Sequence, residues 1–284
     1  LLTLQLADSY KRIGLKDKAF RVKYCSCELS FKVNYHTGER KLHSMKSCQV
    51  RLCSICNWRR SLKIFGQVSK VMDYALQEQE YRFIFFLTIT CKNIEGHELS
   101  RQIDNLFYAF KKLVLKAKVK KAVKGWFRAY RLHIILMVNK SYFKKTDLYL
   151  SQEEWTSLWK DCLKVDYTPV VDVRAFKTGT KKQTAKSVAE TVKYAVKDTD
   201  YLIENNKDLT DKTVLELDGA LANRRLIAFG GELRKIHKLL NLDDPEDGDL
   251  VNTDNEEELR DDVKYSIEVY NWYIGYKQYI KNYF

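Results

Sequence analysis

Apolar positions change their period along this chain, and the changes divide it into elements. Residues 1 to 20 mix polar and apolar side chains at helix-compatible spacing, which predicts an amphipathic lead-in. The stretch LSFKVNYHTGERKLHSMKS predicts a hairpin turning at His36 to Gly38, and YRFIFFLTIT (Tyr81 to Thr90) reads as a buried strand. Leu99, Ile103, Leu106, Phe107, Phe110 and Leu113 then recur at helical spacing. WFRAYRLHIILMV is read as one strand, and SQEEWTSLWKDCL as a helix with Ser151 as N-cap and Glu154 closing a capping box. VVDVRAF (Val170 to Phe176) is a further strand, Lys182 to Val196 turns helical, and RRLIAFGG (Arg224 to Gly231) is a short strand ending in a glycine pair. Near the C-terminus Val269, Trp272, Tyr273, Tyr276, Ile280 and Tyr283 form an aromatic stripe at helical spacing, a helix packed on the core or on a partner. Strands interleaved with helices, without an internal repeat, predict an α+β fold: an antiparallel central sheet with flanking helices.

Composition narrows the class. A chain of 284 residues with 45% hydrophobic and 31% charged residues can bury a sizeable core as one large domain or two modest ones. The longest apolar runs are far short of the ~20 residues that span a bilayer. The N-terminal stretch lacks a basic region ahead of an apolar core, so a cytoplasmic location and no membrane are expected. The formal charge of +13 is unevenly spread: eleven acidic residues against Arg260 give −10 between Asp243 and Asp262, leaving +23 elsewhere. A basic body of this kind points to a phosphate-rich partner, nucleic acid before an anionic membrane. The lysines from Lys111 to Lys124 accompany no apolar face suited to a membrane surface.

The cysteines carry the most specific spacing. Cys53 and Cys56 form C-x2-C, and Cys48 lies five residues ahead. Cys25 or Cys27 can supply a fourth ligand across the predicted hairpin, with His43 as competitor. In a reducing compartment this pattern is structural zinc more often than a disulfide or redox pair. Trp58, Arg59 and Arg60 then begin a basic helix pinned by the metal. Cys91 and Cys162 stand alone and are expected to be small buried hydrophobes.

Two further groupings are weak by themselves. Glu190 and Tyr194 are four apart on the predicted helix KSVAETVKYAVK, beside Lys193 and Lys197. A tyrosine there could attack a phosphodiester with a carboxylate one turn away, yet such pairs are common on solvated helices. His133 opens LHIILMV, where a single histidine is usually a hydrogen-bonded core residue. Two histidines flanking one residue could share Mg²⁺ or Mn²⁺, but position 131 is Arg.

Taken together and in order, FLTIT (Phe86 to Thr90), LHIILMVNKSYF, DYTPVVDVRAFK (Asp166 to Lys177) and ETVKYAVK (Glu190 to Lys197) resemble rolling-circle plasmid replication initiators. These are His-hydrophobe-His endonucleases, and the Gram-positive plasmid class with cysteines ahead of the catalytic domain is the nearest. CQVRLCSICNWRRSLKIFGQVSKVM and RRLIAFGGELRKIHKLLNLDDPEDGDL also look like that class, so the similarity runs to about Thr253. The resemblance implies that Tyr194 nicks one strand and stays joined to the 5′ phosphate, that Glu190 activates water at termination, and that His133 is the second histidine of a Mg²⁺ or Mn²⁺ site. It implies structural zinc on Cys25, Cys48, Cys53 and Cys56. Arg51, Arg59, Arg60, Lys193 and Lys197 are candidate phosphate contacts. Origin DNA, double- and single-stranded, is the expected partner, with a host helicase and a homodimer as further ones. The expected layout is a zinc-binding, DNA-contacting module over 1–75, a nicking-joining domain over 76–242, and an acidic segment with an aromatic helix over 243–284. The family pattern departs at one place. Members carry a polar turn and an acidic strand before the metal histidines, whereas GWFRAYRLHIILMV has no turn residues and Arg131 takes the first histidine's place. Either residues between about Ala129 and His133 are missing from the sequence, or the metal site is deficient. A zinc-stabilised DNA-binding regulator without catalysis, or a replication scaffold, is the alternative function.

Overall fold

The computed structural model describes residues 2–77, 81–92, 95–129, 132–174, 188–189, 201–252 and 264–283. It forms two compact units, one of residues 1–63, 198–218 and 247–284, the other of residues 64–197 and 219–246.

The first unit opens with helices α1 (Leu2–Arg12) and α2 (Lys16–Lys23), broken at Gly14, whose φ of +85° only a residue without Cβ adopts cheaply. Strands β1 (Glu28–Asn34) and β2 (Arg40–Met45) make the expected hairpin. Asn34 shapes its turn, with Oδ1 accepting from the backbone N–H of His36 and Thr37. Helix α3 (Ser54–Gln77) begins in this unit and ends in the other. The C-terminal aromatic stripe is no helix. It forms strands β8 (Tyr265–Tyr273) and β9 (Gln278–Lys281), and β8 pairs antiparallel with β1 to give a sheet of order β2-β1-β8-β9. The residue types explain the outcome, because aromatic and β-branched side chains fit a pleated surface better than a helix. The expected boundaries at 75 and 242 therefore separate strands that are hydrogen-bonded neighbours.

The second unit holds a five-stranded antiparallel sheet of order β6-β3-β5-β4-β7. The strands are β3 (Tyr81–Ile89), β4 (Val123–Arg128), β5 (His133–Asn139), β6 (Val171–Arg174) and β7 (Ala228–Gly231). Its helices are α4 (Leu99–Leu115), α5 (Ala117–Ala122), α6 (Gln152–Leu163) and α8 (Glu232–Leu239), while α7 (Lys207–Leu221) belongs to the first unit up to Asp218. Along β5 the alternation is complete. Ile134, Leu136 and Val138 pack with Phe110, Leu113, Trp155 and Trp159 from α4 and α6. Ile135 and Met137 pack on the other face with Val68, Val71, Met72, Leu233 and Ile236 from α3 and α8. This antiparallel sheet with helices on both faces is the expected α+β architecture.

Helix α6 starts as its sequence predicts: Ser151 accepts from the Glu154 N–H at 3.2 Å, and Glu154 accepts from the Ser151 N–H at 3.0 Å. The single strand expected from Trp126 to Val138 is instead two, β4 and β5, paired antiparallel. Their turn is closed by Leu132 N–H donating to Ala129 O, with Leu132 at φ +52°. A non-glycine residue in that region carries no turn signature in the sequence, so the hairpin was hidden.

Candidate metal centre and endonuclease sheet

Three chain segments bring the four cysteines together. Cys25 follows α2, Cys48 follows β2, and Cys53 and Cys56 flank the start of α3. Two residues with left-handed backbone, Ser26 at φ +59° and Gln49 at φ +56°, turn the chain directly after Cys25 and Cys48. The Sγ atoms of Cys25, Cys48, Cys53 and Cys56 all lie within 4.8 Å of one another, and each thiol is buried. Cys25–Cys56, Cys48–Cys56 and Cys53–Cys25 are each 3.6 Å apart. Four thiolates at the usual zinc–sulfur length of about 2.3 Å stand about 3.8 Å apart in a tetrahedron, so the set fits a zinc ion. Hydrogen bonds from the Cys25, Cys48 and Cys53 thiols, with Arg60 nearby, hold the Cys56 thiol far below its ordinary range. Cys25 is pushed up by the same hydrogen bonding and by burial. The alternatives for the fourth position do not take part: His43 is exposed on β2, and Cys27 is outside the cluster.

Around this cluster three arginines clamp backbone. Arg21 Nη2 donates to Cys48 O at 2.5 Å. Arg60 Nη2 donates to Gln49 O at 2.8 Å and Gln49 Oε1 at 3.1 Å, while Nη1 reaches Asn57 Oδ1 at 3.1 Å. Arg59 donates to Leu250 O and Val251 O at 2.8 and 2.5 Å. Arg59 and Arg60 are buried. The expectation that they contact phosphates is therefore corrected: the first turns of α3 aim both guanidiniums inward, at backbone carbonyls. Trp58, between the knuckle and these arginines, is exposed. Arg51 lies 3.6 Å from Asp247 with its side chain partly accessible.

The acidic stretch proves partly structural. Glu246 is buried and accepts the Leu226 N–H with both carboxylate oxygens, Asp244 pairs with Arg225 at 2.5 Å, and Asp249 caps the Val251 N–H. The lysine-rich α4–α5 region likewise spends charge internally, on the pairs Lys116–Asp161, Lys118–Glu154 and Lys121–Asp147. Cys162 is buried in the sheet core, which raises its thiol pKa, and Cys91 is half-buried.

In the second unit His133 opens β5 and lies beside Thr88 of β3, its Nδ1 3.1 Å from Thr88 Oγ1. Thr88 is in turn opposite Asp172 of β6. In-register neighbours project from the same face, so His133, Thr88 and Asp172 form a row across three strands. Asp172 also pairs with Arg174 at 2.7 Å. Sequence reasoning passed over Asp172, although alternation in VVDVR already sets it opposite the apolar Val171 and Val173. By the same alternation His133 shares its face with Ile135 and Met137. Val188 is fully buried against that face's cluster. Glu190, Lys193, Tyr194, Lys197 and Arg131 lie outside the described residues.

With this geometry in hand, comparison with known proteins is informative. A family model described as Replication protein, Rep_1, matches residues 39–280. The chain belongs to the Rep_1 replication protein family. A Bacillus amyloliquefaciens "Protein rep" is 40% identical over 301 positions, covering 95% of this chain and 87% of the relative. A Streptococcus pneumoniae "Protein rep" is 37% identical over 90% of this chain and 83% of its own length. A Staphylococcus aureus "Replication protein" is 34% identical over 72% of this chain and 94% of its own. No solved structure matches the chain. The resemblance to Gram-positive plasmid initiators is borne out at the level of family, and plasmid replication initiation is the role that this Rep_1 membership supports. The span shared with the Bacillus amyloliquefaciens relative, at 301 positions, exceeds this whole chain, so that relative carries internal residues absent here. Among the described residues no helix is long and apolar enough to cross a membrane.

Proposed function

We propose that this Rep_1 protein binds the plasmid's double-strand origin and nicks one strand through Tyr194. The Tyr194 oxygen bonds to phosphorus as the P–O3′ bond breaks, leaving a 5′-phosphotyrosine and a free 3′ hydroxyl. At termination Glu190 takes a proton from water, whose oxygen bonds to phosphorus as the P–O bond to Tyr194 breaks; the tyrosine oxygen regains a proton and the DNA leaves with a 5′ phosphate. The observation that best supports this reading, beside the family, is the sheet face bearing His133. Val188, two residues before Glu190, is packed on that face. His133 and Asp172 are the residues suited to a Mg²⁺ or Mn²⁺ ion, an imidazole nitrogen and a carboxylate oxygen on one face. Such an ion would polarise the scissile phosphate when bound. Zinc on Cys25, Cys48, Cys53 and Cys56 supports the fold of the first unit. Arg51, Lys193 and Lys197 are the proposed phosphate contacts, and a helicase and a second copy are the proposed protein partners.

One observation favours the non-catalytic alternative. Position 131, where the resemblance implies a first histidine, is Arg. Incubation with supercoiled plasmid carrying the cognate origin, with and without Mn²⁺, followed by denaturing electrophoresis, separates the two. Metal-dependent nicking that is lost in Tyr194→Phe and leaves a DNA-linked Tyr194 peptide supports the initiator. Tight origin binding with no nick would establish the regulator instead.

A further inference from the structure

We infer that the tip of the β8–β9 hairpin binds single-stranded DNA by stacking unpaired bases on its tyrosine rings, an inference that rests on the initiator reading. The hairpin gathers exposed large side chains: Tyr273, Ile274 and Tyr276 are 46, 57 and 72% accessible, and Trp272, Tyr279 and Tyr283 are exposed beside them. Clustered apolar exposure of this kind marks an interaction surface. The tip is ordered, since Tyr276 N–H donates to Tyr273 O at 3.2 Å and Lys277 N–H to Ile274 O at 3.3 Å, with Lys277 at φ +51° closing the turn. Rings held on a fixed backbone lose little freedom when they bind.

Strand alternation divides the rings between roles. Trp272 and Tyr279 share one face, their ring centroids 5.0 Å apart. The Tyr279 hydroxyl donates to Ser26 O at 2.6 Å, so the ring on this face braces the cysteine loop, and the backbone N–H of Trp272 adds a bond to Cys27 O at 2.8 Å. Tyr273 projects from the other face, and Ile274 and Tyr276 sit at the turn. Rings set around a turn do not make the flat contiguous patch that a protein partner covers, but each offers a plane on which one base can lie. The charge agrees with a polyanion. At the tip Lys277 is the one charged residue from Trp272 to Tyr279, and the single acid of β8, Glu268, is already engaged by Arg40, Tyr270 and Lys281. Aromatic planes among cations suit single strands, whose bases are exposed, and not a duplex, whose bases are stacked away.

The test uses the full zinc-loaded chain and fluorescence anisotropy with labelled oligo-dT and with a blunt duplex of unrelated sequence. Replacing both Tyr273 and Tyr276 by Ala should weaken oligo-dT binding at least tenfold and change duplex binding less than twofold. Tyr276→Phe should retain oligo-dT affinity, whereas Tyr276→Leu, which keeps apolar bulk without a ring, should lose it. Zinc content and unfolding midpoint equal to the parent's establish that a variant is folded. Unchanged oligo-dT affinity in the folded double variant, or full affinity in Tyr276→Leu, overturns the inference. So does sedimentation showing lost self-association with oligo-dT binding intact, which would assign the tip to a second copy. Oligo-dT contains no origin, so absent nicking and absent stacking are separate failures.

Discussion

Replacing Arg60 by Ala distinguishes a backbone clamp from a DNA contact. The guanidinium is buried and donates to Gln49 O, Gln49 Oε1 and Asn57 Oδ1 at 2.8 to 3.1 Å, with Val50 O at 3.4 Å. Hydrogen bonds from a charged donor each contribute about 1.5–3 kcal/mol, and the carbonyls left behind lose their donors. Several bonds fail together but the knuckle can relax toward water, so we expect a net loss of about 3 kcal/mol. At roughly 2–4 °C per kcal/mol for a chain of this size, the unfolding midpoint should fall by about 6–12 °C. Zinc release to a chromogenic chelator should quicken, because the clamped carbonyls belong to the turn carrying Cys48. The folded, zinc-loaded fraction should bind DNA with an unchanged salt dependence. A phosphate contact behaves oppositely: the slope of log affinity against log salt drops by about one while the midpoint stays put. Calorimetry beside salt-titrated anisotropy reads both, and the second pattern would refute the clamp. Arg60→Lys should recover little, since one ammonium cannot reproduce the fork.

Other expectations follow from the same reasoning. Elemental analysis of purified protein should give one zinc per chain, and Cys56→Ala should abolish it; full zinc content in that variant would exclude the four-thiol site. Glu268 is held down to about 2 by Lys281, Tyr270 and Arg40. Its contribution to sheet stability is therefore whole above the ordinary glutamate value and is lost as the pH falls through about 2. Acid unfolding followed by near-UV dichroism should lose part of this limb in Glu268→Gln, and superimposable curves would contradict the network. Gly230 lies under the indole of Trp126, and a Cβ there would stand 2.1 Å from its Cε2. Gly230→Ala should cost about 1–3 kcal/mol by displacing the ring; an unshifted denaturant midpoint would show that the indole moves freely.

How far these features could be read in advance depended on where their causes lie. The Ser151–Glu154 box and the cysteine spacing are local and legible, because three-residue and two-residue intervals fix their geometry. The unbroken apolar run Ile134 to Val138 marked a strand, and the strand proves to be buried on both faces. The β4–β5 turn was invisible because Leu132, not glycine or asparagine, takes the left-handed conformation. The C-terminal stripe satisfied a helical period and a strand composition together, and pairing with β1, more than two hundred residues away, decided between them. Nor could the direction of Arg59 and Arg60 be read from WRR: a helix face becomes inward only once Gln49, Val50 and Leu250 are beside it.

The pairing of β1 with β8 also sets an order of events at the ribosome. Ser30 is in register with Val269, so the strand beside the first cysteine waits for its neighbour until more than two hundred further residues have been made. At ordinary elongation rates that interval is on the order of tens of seconds. During it the Cys25–Cys27 loop lacks the Trp272 and Tyr279 bonds that brace it. Bracing of the cysteine loop is thereby tied to synthesis of β8 and β9, and a ribosome that stops short of them leaves a thiol loop without that support.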